Sequence, residues 1–197
     1  MSKVTQVPTR PVTTERRAAT RGRLVEAATR VVALRGFHAA TVDQIAEEAG
    51  FSVGALYSNF GGKDDLFLAV FDGHLRWYAD RLEEAAAASD QRRAFRDWMQ
   101  AAGDDPDQLL IFIEFWAYAV RRPKLRRSFA KRMAEMREAL AQALERRARD
   151  EDAALALPAE TLALVLLSLG RGLGLEQLAD PAAIDDSVAE LVASLIP

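Results

Sequence analysis

The stretch from Thr41 to Lys63 constrains the fold of this chain more than any other part of it. Thr41 and Gln44 have the spacing of a capping box, in which each residue hydrogen-bonds the backbone of the other at the start of a helix. Gly50 suits the left-handed residue that ends a helix, and Ser52 can cap the next one. The stretch therefore predicts two short helices joined by a tight turn, which is helix-turn-helix geometry.

The second of these helices, predicted over residues 53–59, turns slim or neutral side chains outward, while Leu56 faces the core. The outward residues are Val53, Gly54, Ala55, Tyr57, Ser58 and Asn59. Such a helix can enter the major groove of DNA, where Tyr57 and Asn59 can donate hydrogen bonds. Lys63 opposes the dipole of the helix that it begins, and a nearby phosphate would account for it. With Thr41 and Ser52, these residues form the predicted DNA-binding site; a hairpin with a merely solvated polar face is the alternative.

This stretch resembles the DNA-binding domain of the TetR family of bacterial transcriptional regulators. The residues that carry the resemblance are Gly36-Phe37, Thr41-Val42, Ile45-Ala46, Ala49-Gly50, Gly54 to Tyr57, Asn59-Phe60, Lys63 and Leu66-Phe67. Many members carry histidine where this chain has Asn59, but asparagine can also contact a phosphate. The resemblance implies a homodimer that binds a double-stranded DNA operator and responds to a small-molecule effector.

The composition favours helix throughout the chain. Half of the 197 residues are hydrophobic, 28% are charged, and glycine and proline are few. Together with the helix-turn-helix signals, this predicts an all-α fold of about nine helices. The chain has no cysteine and two histidines, so we expect neither a metal site nor a cofactor. Without an apolar leader or a charge-free run of membrane-spanning length, we expect a cytoplasmic protein with no membrane partner.

The charges are divided unevenly along the chain. Residues 1–63 hold nine Lys/Arg and five Asp/Glu, whereas residues 64–197 hold 17 and 24, so the two parts carry +4 and −7. A positive end on an acidic body suits a protein that docks one end on DNA. We predict a flexible arm over residues 1–15, a helix-turn-helix domain over 16–62, and a helical ligand-binding and dimerisation domain over 63–197.

The apolar periodicity sets the expected helices of both domains. In the first predicted helix, residues 16–35, we expect Leu24, Ala28, Val31 and Leu34 to form a buried stripe that ends before Gly36. The other helices beyond the helix-turn-helix are predicted near residues 63–88, in the stretch that carries residues 95–99, and over 106–122, 123–150, 158–179 and 184–196. The helix over 106–122 is apolar nearly all round, which predicts burial on every side.

Large aromatic and thioether side chains are concentrated in the second domain, where they predict an apolar effector site. The candidate lining residues are Phe71, His74, Trp77, Tyr78, Phe95, Trp98, Met99, Phe112, Phe115, Trp116, Phe129 and Met133. Ordinary core packing is the alternative for each of them. Glu114 lies in the apolar helix and needs a partner, for which we consider Arg171 or a ligand. We expect the effector to be small and largely apolar.

The predicted helix over residues 158–179 is apolar on every face between Leu162 and Leu169, more than one neighbouring helix can cover. A second subunit would cover the remainder, and in the TetR family the last two helices form the dimer interface. The predicted interface residues are Ala163, Leu166, Leu167, Gly170, Gly174, Val188, Leu191 and Leu195.

These patterns favour a ligand-responsive, dimeric DNA-binding regulator, most simply a repressor released from a palindromic operator by its effector. A DNA-binding regulator controlled by a protein partner or by expression level, with no small ligand, is the first alternative. A helical enzyme is the remote one. Its support is weak, because the glycines at 170, 172 and 174 lie in a helical run without a preceding strand, unlike a nucleotide-binding loop.

Overall fold

The computed structural model describes residues 12–87 and 106–193, and within these ranges it contains eight α-helices and no strand. The helices are α1 (Val12–Ala39), α2 (Val42–Ala49), α3 (Val53–Asn59), α4 (Lys63–Ala87), α5 (Pro106–Val120), α6 (Pro123–Asp150), α7 (Ala159–Ala179) and α8 (Asp186–Ala193). The predicted all-α class is confirmed. The helix predicted around residues 95–99 lies outside the described residues.

The chain packs into two compact units, Met1–Val70 and Phe71–Pro197. The first unit includes the beginning of α4, which the sequence assigned to the second domain. Leu66 and Phe67 explain this placement, because both are fully buried and the Phe67 ring meets Phe37 edge-on at a centroid distance of 4.9 Å. Residues 12–15, predicted as part of a flexible arm, belong to α1.

The first unit is built from α1, α2 and α3 around one apolar core. The buried face of α1 carries Leu24, Ala27, Ala28, Val31 and Val32. The prediction that Leu34 belongs to this face is wrong, because its side chain is 84% exposed. Gly36 interrupts the regular helix with φ +72° and ψ 163°, as the sequence predicted for the residue that ends it.

The second unit is centred on the packing of α6 against α7. Its largest described cluster consists of Leu140, Ala141, Leu144, Ala159, Leu162, Ala163, Leu166 and Leu167. The predicted dimer residues Ala163, Leu166, Leu167, Gly170 and Gly174 are therefore buried inside a single chain. Small residues at 163, 170 and 174 let α7 approach the rest of its own unit, so these five positions cannot reach a second subunit directly.

The burial of α5 and the start of α8 differ in part from the sequence predictions. On α5, Leu110 and Trp116 are exposed, so this helix is buried on one side rather than all round. Asp185 caps α8, and the hydroxyl of Ser187 and the backbone N–H of Val188 that donate to it lower the pKa of its carboxyl. Leu195 lies outside the described residues.

One described helix, α7, has the length and mean hydropathy of a membrane-spanning segment. Core helices of water-soluble proteins pass the same test, so this is weak evidence for a membrane span. The buried face of α7 packs on α6 within the chain.

Candidate nucleic-acid interface and effector site

The turn between α2 and α3 has the geometry predicted from its capping residues. The Gln44 backbone N–H donates to Thr41 Oγ1 over 3.3 Å, and the Thr41 N–H donates to Gln44 Oε1 over 3.1 Å, which completes the capping box. Gly50 ends α2 in the left-handed conformation, at φ 69° and ψ 34°. The Phe51 N–H then donates to the Ala46 carbonyl over 2.9 Å, so the chain turns sharply into α3.

The inner side of helix α3 is held by a cap and by buried apolar side chains, and the side predicted to face DNA is directed outward. The Ala55 N–H donates to Ser52 Oγ over 3.1 Å at its start, and Leu56 and Phe60 are buried beneath it. Gly54, Tyr57 and Ser58 are exposed, with 55% of the Tyr57 side chain accessible to solvent. Val53, Ala55 and Asn59 are half-buried. The outward surface is therefore mostly slim and uncharged, and such a helix can enter the major groove.

Two of the predicted DNA-contacting side chains of α3 bond within the helix. Asn59 Nδ2 and Ser58 Oγ each donate to the Ala55 carbonyl over 2.8 Å. Asn59 Oδ1 is buried and has no hydrogen-bond partner in the described chain. The orientation of Asn59 therefore favours a role at the end of α3 more than a direct role in binding bases.

Three arginines of α1 donate to the carbonyls that end α2 and α3, a feature that the sequence analysis missed. Arg17 Nη2 lies 3.2 Å from the Ser58 carbonyl oxygen, and Arg21 Nη1 lies 2.8 Å from that of Asn59. Arg23 Nη2 donates to the last carbonyl of α2, at Ala49, over 3.0 Å. Cations suit these positions because a helix C-terminus carries partial negative charge. The available signal was the four-residue spacing of Arg17 and Arg21, which places both on one face of α1.

These guanidinium groups also stack on aromatic rings at the corners of the motif. Arg21 lies 4.0 Å from the centroid of Phe60, and Arg23 lies 4.7 Å from that of Phe51. Each arginine thus joins a helix end to a ring: Arg21 at the end of α3 and Arg23 at the end of α2.

Lys63 has partners within the first unit. Its Nζ lies 3.5 Å from the carbonyl oxygen of His38 and 5.1 Å from the centroid of the Phe67 ring. These contacts offset part of the cost of a cation at a helix N-terminus. A phosphate is therefore not required to explain this lysine, although its ammonium group remains within the predicted DNA-binding motif.

In the second unit, most of the described candidates for the effector site come together. Phe71 stacks on Phe115 with ring centroids 4.3 Å apart, and Phe129 lies 5.3 Å from Phe71. Phe112 borders both Phe71 and Phe129 at 6.1 Å. The cluster joins α4, α5 and α6 through apolar rings, which suits either a core or the wall of an apolar site.

His74 extends this cluster along α4. Its ring lies 5.9 Å from Phe112, 6.2 Å from Tyr78 and 6.4 Å from Trp77. His74 Nδ1 lies 3.2 Å from Gln108 Oε1, within hydrogen-bond distance. Trp116 is separate from the cluster, because half of its side chain is exposed on the outer side of α5. Phe95, Trp98 and Met99 lie outside the described residues.

Arg171 does not pair with Glu114, one of the two partners considered for that glutamate. Its guanidinium lies 4.4 Å from the centroid of Phe112, and its Nη2 lies 3.5 Å from Met133 Sδ and 3.7 Å from Met136 Sδ. Burial lowers the pKa of the Arg171 guanidinium. Burial also raises the pKa of the neighbouring Tyr78 hydroxyl. A partly buried cation therefore borders the aromatic cluster.

An ion pair that the sequence did not predict fixes one side of the second unit. Both carboxylate oxygens of Asp72 accept from Arg132, one from Nε and the other from Nη2 over 2.9 Å. This two-pronged bond joins α4 to α6 and raises the pKa of Arg132.

No group of acidic, histidine or cysteine side chains suited to a metal ion occurs among residues 12–87 and 106–193.

A capped helix-turn-helix and a separate helical unit with an aromatic cluster define a DNA-binding regulator. Two family models match the chain: "Bacterial regulatory proteins, tetR family" over residues 24–70 and "BetI-type transcriptional repressor, C-terminal" over residues 78–196. The second covers more than half of the chain. The protein belongs to the TetR family of transcriptional regulators, which are not enzymes, and the resemblance based on residues 36–67 is confirmed.

Individual relatives agree with this assignment. The chain is 38% identical to the transcriptional activator FasR of Mycolicibacterium smegmatis over 85 residues, 43% of this chain and 39% of FasR. It is 31% identical to the regulator BetI of Paraburkholderia phytofirmans over 114 residues, 54% of this chain and 58% of BetI. These matches span less than two thirds of the relatives. The structure of FadR from Bacillus subtilis, solved with stearoyl-CoA, has the same fold, with a TM-score of 0.68 at 17% identity over 89% of this chain and 99% of that one.

Proposed function

We propose that this protein is a cytoplasmic, dimeric repressor that binds a palindromic operator and leaves it when a small, largely apolar effector binds. The observation that carries the proposal is the outward face of α3, which is slim and uncharged and is bordered by Arg17 and Arg21. Such a surface combines entry into the major groove with attraction to phosphates. Repression is favoured over activation by the repressor description of the family model over residues 78–196.

The exposed face of α7 supports dimerisation. Its residues form one uncharged stripe on the side opposite the α6 contact, namely Thr161, Leu164, Ser168, Gly172 and Leu175. Leu164 and Leu175 are 49% and 45% exposed. A Cβ added at Gly172 would meet no atom within 4 Å, so the packing of the single chain does not require glycine there. A second copy of α7 crossing at Gly172 would use this space and cover both leucines.

The effector is proposed to contact the cluster of Phe71, Phe112, Phe115 and Phe129, with His74 and Tyr78 at its border. Ring walls of this kind give an apolar molecule a large contact area. The FadR structure, solved with stearoyl-CoA, supports a ligand with a long apolar chain in a protein of this fold. Control by a protein partner, without a small ligand, remains the competing hypothesis.

Selection of DNA from a random pool by the purified full-length protein tests the operator. We expect enriched sequences to contain an inverted repeat whose half-sites lie about 34 Å, or a multiple of that, apart. Gly54→Glu is the matched variant, because it places an anion on the outward face of α3, where an added Cβ would lie 3.8 Å from Ser52 Oγ, an ordinary van der Waals distance. This variant should fold and enrich nothing. Enrichment of single, unpaired sites by the natural protein would contradict the dimeric operator.

A further inference from the structure

Within the ranges 12–87 and 106–193, the contacts of the Arg171 guanidinium do not neutralise its charge. Its neighbours are the Phe112 ring and the thioethers of Met133 and Met136. Guanidinium has five N–H donors, whereas a thioether is only a weak acceptor. Among the residues that the structure describes, no carboxylate pairs with Arg171.

The neighbouring titratable groups Tyr78 and Arg137 add no negative charge to offset that of Arg171. Burial raises the pKa of the Tyr78 hydroxyl, so Tyr78 stays a neutral phenol at physiological pH and supplies no counter-charge. Arg137 adds a second positive charge, which together with burial lowers the pKa of Arg171. A buried cation normally has a charged partner or a dense set of acceptors, because desolvation is costly.

We infer that Arg171 is the binding site for an anionic group, carboxylate or phosphate, at one end of an otherwise apolar effector. The Phe112 ring links the two halves of this site, since it contacts Arg171 on one side and the cluster of Phe71 and Phe129 on the other. An amphipathic anion would place its charged end at the guanidinium and its apolar body along the rings. This inference rests on the proposed effector-responsive function and specifies the chemistry of the effector.

The same arrangement argues against a cationic effector. Aromatic rings can bind a quaternary ammonium group, but here Arg171 already lies against Phe112 at 4.4 Å from the ring centroid. A ligand cation would meet a like charge in a partly buried site, whereas an anion would form charge-assisted hydrogen bonds with the planar donors.

Binding of four probes with the same alkyl chain tests the inference: octanoate, octyl phosphate, octanol and octyltrimethylammonium. Calorimetry on the full-length protein should show octanoate or octyl phosphate binding about 10- to 100-fold more tightly than octanol, the range for a hydrogen bond to a charged group. The ammonium probe should bind least tightly. Whichever anion binds better identifies the group as carboxylate or phosphate.

Arg171→Met is the decisive variant, because methionine fits beside Met133 and Met136 and removes only the charge and its donors. It should bind octanoate no more tightly than octanol while keeping its affinity for octanol. Arg122→Met is the matched control, since the Arg122 guanidinium also lies against a ring, 3.5 Å from the Tyr118 centroid, outside the proposed site. This control should keep the preference for the anion.

The outcomes separate the inference from the proposed function. If octanol and octanoate bind equally in the natural protein, or if the ammonium probe binds most tightly, the anionic site is wrong while an effector site remains. If no probe binds, both the anionic site and the apolar effector are contradicted. If Arg171→Met fails to fold, Arg171→Lys is measured instead. Equal affinities of a folded lysine variant for octanoate and octanol would support the need for the guanidinium fork, provided that Arg122→Met keeps its preference for the anion. An unchanged preference in the lysine variant would overturn the assignment to that fork.

Discussion

Arginine, at the scale of single residues, has three different roles in this protein. Arg17 and Arg21 hold the end of α3 and bring positive charge to the predicted DNA-binding surface. Arg132 forms a two-pronged pair with Asp72 that joins two helices. Arg171 lies against a ring and two thioethers without a carboxylate among the described residues. The neighbours of each guanidinium, more than its charge, therefore decide its role.

Tyr57 and Lys63 are predicted to contact phosphates, and their variants should differ in salt dependence. Both Tyr57→Ala and Lys63→Ala should weaken binding to all DNA sequences. Lys63→Ala should reduce the slope of log affinity against log salt by about 1, because one phosphate charge is no longer neutralised. Tyr57→Ala should leave the slope nearly unchanged. Fluorescence anisotropy with a selected operator over a salt series measures both effects, and unaltered affinity in both variants would contradict the assignment.

Arg21→Ala should lower both stability and DNA affinity. The variant loses a bond to the Asn59 carbonyl and a cation–ring contact with Phe60, so we expect a loss of about 1 kcal/mol in the free energy of unfolding. Urea denaturation measures it. Arg35→Ala, at an exposed arginine of the same helix, is the control and should change stability by less than about 0.5 kcal/mol. Equal effects of the two variants would show that the contacts of Arg21 add nothing.

At the scale of helices, α7 has two apolar faces, of which one is covered within the chain and the other is exposed. One face carries Leu162, Ala163, Leu166 and Leu167 and is covered by α6. The other carries Leu164, Gly172 and Leu175 and faces solvent in the single chain. The proposed dimer therefore uses the side of α7 that the sequence analysis did not select.

Substitutions on the two faces of α7 should have different effects. Leu164→Glu and Gly172→Arg should produce folded monomers, because a charge would enter the proposed apolar interface without disturbing the protomer. Leu167→Ala should instead lower the free energy of unfolding by about 2 to 5 kcal/mol, since Leu167 is only 1% exposed. Analytical ultracentrifugation and urea denaturation measure assembly and stability. A dimer that persists in both charged variants would place the interface elsewhere.

At the scale of the whole molecule, the proposed function requires that the effector site and the operator site be coupled. An effector weakens DNA binding only if it binds more tightly to a conformation that binds DNA less well. Helix α4 belongs in part to each of the two compact units, because it begins at Lys63 and ends at Ala87 while the division lies after Val70. This continuity makes α4 the proposed transmitter.

The coupling should be reciprocal and visible in tryptophan fluorescence. An effector should weaken operator binding by roughly 5- to 150-fold, and operator should weaken effector binding by the same factor. Trp77 should report the binding, because its ring lies 6.4 Å from His74, whereas Trp116 is half exposed. Trp77→Phe should remove more of the fluorescence change than Trp116→Phe. Tight effector binding with unaltered operator affinity would show that induction is the wrong mechanism.

The sequence by itself determined the DNA-binding motif and the helical class. The signals for the motif are local: Thr41 and Gln44 lie in one turn, Gly50 ends the same helix, and Ser52 caps the next. Hydrogen bonds between residues so close in the chain depend little on distant packing, so their pattern can be read directly. The division between a positive end and an acidic body was visible for a similar reason, because it depends only on the order of residues.

The tertiary structure alone decided which side of each helix meets which partner. A helix that is apolar all round, such as α7, does not reveal which face packs on its own chain, and Leu167 and Gly170, which the sequence predicted at a dimer interface, are buried within the single chain. The contacts of Arg17, Arg21 and Arg171 likewise join residues more than 30 positions apart. Such contacts arise from the way complete helices pack. A sequence pattern, such as the spacing of Arg17 and Arg21, can place residues on one face of a helix, but it does not identify their partners because many partners satisfy the same pattern.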